Sequence, residues 1–203
     1  MNSVNPEISP YNEPALPAIY NDLPELTTAR LVLRKMRLTD AGDMFAYASD
    51  PDVSRHLVWT PHQNIDETLG FLKYVLSRYA QGTIEDWGIE HRQTRAFIGT
   101  AGYFFYDGLH HRAEIHYCLA KSYWRQGLMT EALRAIIAFG FQQMNLHRIE
   151  AKCFPDNIGS QSILLKLGMQ YEGIMRQGLY AKKTYHDMRC YAILSSDSIK
   201  NNE

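Results

Sequence analysis

Two neighbouring stretches decide the fold class: Ala113-Glu114-Ile115-His116-Tyr117-Cys118-Leu119 and, four residues on, Trp124-Arg125-Gln126-Gly127-Leu128-Met129-Thr130-Glu131-Ala132. The first has the short, β-rich character of a strand. After the second, Leu133, Ile136, Ile137, Gly140, Phe141 and Met144 recur at helical spacing and mark one buried stripe. The pattern predicts strand, glycine turn and helix, with the helix beginning near Thr130. A helix start presents backbone N–H groups that its own carbonyls cannot satisfy, and its dipole favours an anion there. Gly127 lets the backbone approach a bulky anion, and Arg125 and Gln126 can add charge and hydrogen bonds. Taken alone, the segment reads equally as a phosphate-binding turn or as an ordinary turn in which Gly127 serves sterics. Neither the Gly-x-x-x-x-Gly-Lys-Ser/Thr loop nor Gly-x-Gly-x-x-Gly occurs, which disfavours simple phosphate-loop kinases and dinucleotide dehydrogenases.

Upstream, Leu31, Leu33 and Met36 open a strand, and Asp40 precedes a short helix through Met44, Phe45, Tyr47 and Ala48. Asn64 with Glu67 resembles a cap for a second helix through Leu69, Leu72, Leu76 and Tyr79, ending at Gly82. From Trp87 to Leu119 short β-rich runs broken by Asp107-Gly108 predict an antiparallel meander. Downstream, Ile149, Ala151 and Cys153 alternate with charged residues as one strand. A helix from about Asn157 to Leu167 stops at Gly168, and strands follow around 170–175 and 188–194. The order β-α-α-β-β-β-α-β-α-β-β predicts a mixed α/β architecture.

With 203 residues, 45% of them hydrophobic, the chain can bury one substantial core. Residues 1–24 form a proline-rich tail with three acids and no base, 25–195 the folded domain, and 196–203 a polar C-terminal tail. The formal charge of −1 supplies no basic field for direct nucleic-acid binding, so any anion must be held by local geometry. Three scattered cysteines argue against a disulfide framework or a metal site. No apolar run is long enough to span a membrane and no Lys or Arg precedes Arg30, which predicts a cytoplasmic protein.

The segment from Ala113 to Ala132 resembles motif A of the GNAT superfamily of N-acetyltransferases. The later matches Arg148-Ile149-Glu150-Ala151, Pro155-Asp156-Asn157-Ile158-Gly159-Ser160, Lys166-Leu167-Gly168-Met169, Tyr171-Glu172-Gly173 and Tyr185-His186-Asp187 are most similar to ribosomal-protein-alanine/serine (RimJ/RimL-type) members. The resemblance covers residues 26–194. It implies a twisted, mostly antiparallel sheet of six to seven strands with about four helices, and an enzyme moving acetyl from acetyl-CoA to a primary amine by direct transfer in a ternary complex. The acceptor it implies is a protein or peptide α-amino group, possible alternatives being a polyamine, an aminoglycoside or a non-catalytic CoA-binding role. A monomer or homodimer is equally compatible.

The resemblance also places the cofactor on Arg125, Gln126, Gly127, Leu128, Met129 and Thr130 for the pyrophosphate, on Cys118 and Leu119 for pantetheine and the acetyl carbonyl, and on Asn157. Arg125 and Met129 stand where relatives often carry small residues, and Leu164 stands where many carry a tyrosine that protonates the departing thiolate. Ser160, one turn after Asn157, is the replacement for that acid, or else a cofactor hydrogen bond or helix-start polarity. Glu114 is the candidate base, or else a strand residue paired with Arg112 or another cation. Trp59, His62 and Tyr103 are candidate walls of the acceptor entrance, with Trp59 in the core and His62 in a turn as the alternative. His110, His111 and His116 lack metal-like helical spacing and read as turn and strand residues, so no metal is required; an α-amino group at about 7.7 to 8.0 needs only a modest base and a thiol at about 8.5 is a tolerable leaving group.

Overall fold

The computed structural model describes residues 23–82 and 86–200. Eight strands form one sheet: β1 (Leu26–Thr27), β2 (Leu31–Arg34), β3 (Trp87–His91), β4 (Phe97–Asp107), β5 (Arg112–Leu119), β6 (Arg148–Cys153), β7 (Gln170–Ala181) and β8 (Thr184–Leu194). They lie in the order β1-β2-β3-β4-β5-β6-β8-β7, and every pairing is antiparallel except β5 with β6. That parallel pair needs a crossover, which α4 (Leu128–Gln142) supplies. The other helices are α1 (Ala41–Ala48), α2 (Pro51–Ser54), α3 (Ile65–Ala80), α5 (Ile158–Lys166) and α6 (Ser195–Lys200).

This is the expected mixed α/β fold, with differences that have physical causes. The added strand β1 has two residues, and α2 has four, too few to show a period. Strands β7 and β8 run further than the apolar pattern suggests because β7 is the sheet edge and mostly exposed, so burial imposes no alternation on it. The polar C-terminal stretch begins as α6. Residues 1–22 of the proline-rich segment lie outside the described residues, but Leu23 is buried and the Pro24 carbonyl accepts the Trp87 indole N–H at 2.6 Å.

The helix ends are capped, at Asn64 and Gly168 as predicted. Asn64 Oδ1 accepts the Glu67 N–H at 3.1 Å, Asn157 Oδ1 accepts that of Ser160 at 3.0 Å, and Gly168 ends α5 at φ +82°. One face of the sheet packs Trp87, Ile98 and Ile149 against Leu128, Leu133 and Ile136 of α4, and the other packs Met36 and Phe97 under α1 and α3. Tyr103 belongs to the first of these layers. It is 1% exposed and its hydroxyl donates to the Ile136 carbonyl at 2.6 Å, beside Gly140, where a Cβ would sit 2.1 Å from it. Its place as an acceptor wall is therefore corrected: β4 alternation turns Ala101 and Tyr103 toward α4.

One charged cluster is buried. Arg34 bonds both carboxylate oxygens of Asp40, at 2.8 and 2.9 Å, and reaches Glu90 Oε2 at 2.7 Å. Asp40 also accepts the Arg37 backbone N–H at 2.7 Å, so the cluster ties β2 and β3 to the entry of α1.

Candidate functional site

Strands β5 and β6 pair only from Arg112–Ile115 with Arg148–Ala151. Beyond Ile115 they part, while β5 stays paired to β4 as far as Leu119. Peptide groups of Tyr117 to Leu119 that point away from β4 thus face an open V. The Leu119 carbonyl there takes the Trp124 indole N–H at 2.8 Å, fastening the following turn to the strand end.

The turn itself uses two left-handed residues, Arg125 at φ +60° and Gly127 at φ +75°, and α4 starts directly after them at Leu128, earlier than the spacing suggested. The first helical bond runs from the Glu131 N–H to the Gly127 carbonyl, so the amides of Leu128, Met129 and Thr130 precede any acceptor of their own helix. The side chains of these three are buried, which leaves the backbone as the surface of this helix start. Met129, 3% exposed, keeps its side chain in the core under the turn.

A carboxylate in the first turn of α4 would repel a bound anion, but Glu131 is already engaged. Thr28 Oγ1 and Arg30 Nε donate to it at 2.6 Å each, and Arg30 Nη1 donates to the Gln126 carbonyl at 2.9 Å. Burial pushes the Glu131 pKa up, yet those hydrogen bonds and the Arg30 charge hold it below the usual carboxylate range. The turn is thereby anchored to the entry of β2.

The V and the turn open into one cleft of about 820 Å³. Its lining includes Cys118, Leu119, Arg125, Gly127, Leu128, Met129, Thr130, Asn157 and Ser160, brought together from three separate segments. The Gln126 side chain turns back to the Ser122 carbonyl at 2.9 Å and does not line it. A second cavity of about 560 Å³ continues past Gly127 and Thr130 between Arg30, Arg134 and Lys166.

Other candidates stand apart. Glu114 is bound to Lys152 Nζ at 2.5 Å, so the cation it meets comes from β6 rather than being Arg112. It shares its strand face with His116, whose Nε2 contacts the Asp86 carboxylate. Trp59 and His62 pair with each other, ring centroids 5.6 Å apart, and His62 Nδ1 is 2.8 Å from Thr68 Oγ1. Neither of these two lines the cleft.

The cleft also holds residues that periodicity did not reveal. Asp52, Val53, Arg55, His56 and Leu57, on and after α2, form its far wall, and Tyr117, Tyr123, Asp156 and Lys166 complete it. A signal for α2 was available: Asp50 Oδ1 accepts the Asp52 N–H at 2.8 Å, with Pro51 at the first helical position. Lys182 at the β7–β8 turn donates to the Ser54 carbonyl at 2.7 Å. That contact brings His186, Phe154 and His56 into an aromatic column, with centroids 5.0 and 5.9 Å apart.

Burial first, then the Asp86 charge, pushes the Cys118 thiol up to about 12. Covalent acyl transfer through it would need a thiolate, which at pH 8 is populated to roughly one part in ten thousand at such a value. Alkylation of native protein by iodoacetamide at pH 8, followed by mass spectrometry, is expected to label Cys118 at least ~100-fold more slowly than in the denatured chain. Equal rates would overturn this. Among the described residues no His, Cys, Asp or Glu cluster could hold a metal ion, and no helix is long and apolar enough to cross a membrane.

Comparison with known proteins agrees with this geometry. The family described as Acetyltransferase (GNAT) domain matches residues 30–170. The uncharacterized N-acetyltransferase YoaA of Bacillus subtilis (strain 168) is 35% identical over 171 residues, covering 84% of this chain and 97% of that protein. A solved acetyltransferase (GNAT family) from Bacillus anthracis superposes with TM-score 0.76 at 26% identity, over 85% of this chain and 99% of the other. RimL, a ribosomal L7/L12 α-N-protein acetyltransferase solved with coenzyme A, superposes with TM-score 0.73 at 21% identity, over 84% and 98%. The parted strands, the left-handed turn into α4 and this match across β2 to the start of β7 have one reading: the chain belongs to the GNAT family of N-acetyltransferases.

Proposed function

We propose that the chain transfers acetyl from acetyl-CoA to a primary amine within a ternary complex, the acceptor being a protein or peptide α-amino group of the ribosomal-protein kind. The carrying observation is the juxtaposition of the parted β5–β6 pair with the left-handed turn at Arg125 to Gly127. One offers exposed strand amides to an extended amide-bearing arm, the other a helix start to a diphosphate, and the cleft joins them. This suits the shape and chemistry of a CoA thioester. The name of the RimL relative, and its complex with coenzyme A, support the same reading.

Bound acetyl-CoA would supply an activated carbonyl. Amides of Leu128 to Thr130 with Arg125 would hold the diphosphate, Asn157 would hold the arm, and the backbone N–H of Leu119, beside Cys118 and facing away from β4, would stabilise charge developing on the carbonyl oxygen. The attacking amine must be neutral, and an α-amino group at about 7.7 to 8.0 needs only modest help. Glu114, tied to Lys152 and off the cleft lining, would take that proton through water. His56, backed by Phe154 and His186, would wall the acceptor side in place of Trp59, His62 and Tyr103.

The test is acetyl-CoA turnover against peptides with varied N-termini, polyamines and aminoglycosides. Peptides with a free α-amino group are expected to be acetylated, with kcat/KM rising as pH climbs toward about 8 because the amine loses its proton. N-terminal blocking is expected to abolish turnover. Activity confined to polyamines or aminoglycosides would reassign the acceptor.

A further inference from the structure

Leu164, where many relatives carry a thiolate-protonating tyrosine, is 0% exposed and faces the core, so no side chain there reaches the cleft. A different tyrosine approaches from the opposite wall. Tyr117 of β5 lies across the parted strands from α5, its hydroxyl 2.7 Å from Ser160 Oγ, and both residues line the cleft. Ser160 is itself held, since its backbone N–H caps onto Asn157. Strand β5 and the first turn of α5 therefore converge on one hydroxyl.

We propose that Ser160 donates a hydrogen bond to the sulfur of the departing coenzyme, and that Tyr117 is a positioning residue that occupies the Ser160 oxygen as an acceptor and so aims its proton into the cleft. The proposal rests on the acetyl-CoA reading above and deepens it. In the step, the amine lone pair forms the new C–N bond, the C–S bond breaks and its electron pair stays on sulfur. The amine proton leaves through water, and the sulfur is stabilised as thiolate without receiving the serine proton. Burial raises the Tyr117 pKa, partly offset by Ser160, and burial likewise raises that of Cys153. Both stay neutral, and Tyr117 is no match in acidity for a thiol near 8.5. Charge-assisted donation, rather than proton transfer, is what this pair can supply.

The test compares the affinity of the full-length protein for CoA and for desulfo-CoA, which lacks the sulfur, across pH 6 to 9. Asp52, Arg55, His56, Asp156, Lys166 and Cys118 face the cleft in both complexes, so the ratio isolates the ligand thiol. In the wild type the ratio is expected to climb in favour of CoA about tenfold, because the bound thiol titrates about one unit below its free value. S160A is expected to flatten it, Y117F to keep only about threefold of the gain, and the double variant to match S160A because Tyr117 acts through Ser160. Melting temperatures identify any variant that fails to fold, and the wild-type ratio stands as a test without them. A flat wild-type ratio, a Y117F ratio equal to wild type, or a double variant with a further loss beyond S160A would each overturn the assignment. Failure to bind either ligand would instead overturn the cofactor reading, and this assignment with it.

Discussion

Replacing Gly127 with valine is expected to weaken acetyl-CoA binding between about 5- and 150-fold, the equivalent of roughly 1–3 kcal/mol of backbone strain at a left-handed residue. The cause is conformational rather than steric. A Cβ at Gly127 has ordinary room, its nearest neighbour being Arg30 Nη2 at 3.6 Å, but φ is +75°, where a β-branched residue is an outlier. Arg125 already occupies the same region at φ +60°, so the turn has little slack. Relaxing Gly127 toward negative φ would rotate the amides of Leu128 to Thr130 away from the anion they are proposed to hold. Asparagine tolerates this region better, so Gly127→Asn should bind more tightly than Gly127→Val. Calorimetric titration with acetyl-CoA, beside the melting temperature without ligand, measures both parts. Unchanged affinity in Gly127→Val would remove this turn from the cofactor site.

The largest effect on stability is expected from Arg34→Met, about 3–5 kcal/mol, the usual consequence of removing one partner of a buried ionic cluster. Methionine fills much of the volume, so the loss is electrostatic. Asp40 and Glu90, both buried, would lose the guanidinium that bonds each at 2.7 to 2.9 Å, leaving Glu90 only the exposed Arg95, 2.8 Å from its Oε1. In a chain of this size the loss corresponds to a fall in melting temperature of roughly 6–20 °C. Both carboxylates raise the Arg34 pKa despite the opposing effect of burial, so the cation persists at any pH the fold survives. A drop below about 1 kcal/mol by urea denaturation would show that water reaches the carboxylates and that the cluster is not a buried one.

Periodicity in the sequence identified α3 and α4, although α4 starts at Leu128 rather than near Thr130, because a buried stripe on a long helix leaves a regular trace in residue order, and the Gly168 stop marked the end of α5. The turn at Arg125 to Gly127 and the caps at Asn64 and Gly168 were legible because each is a local solution to unsatisfied backbone groups. The α2 wall was legible only as the Asp50-Pro51 cap signal, since four residues carry no period. Tyr103 was misplaced because alternation along β4 says that residues face opposite sides without saying which side is core and which is cleft.

The sequence by itself determined the mixed α/β class, the order of most elements and the glycine turn that leads into α4. All of these depend on contacts within a few residues. Only the tertiary structure decided that β5 and β6 part after Ile115 and that the turn, Asn157 and the residues around α2 surround one cleft. It also decided that Glu114 is occupied by Lys152 and that Tyr117 meets Ser160 across 43 positions of chain. Those pairings depend on which faces of distant elements are pressed together, and burial and strand register set that across the whole sheet, beyond the reach of local spacing.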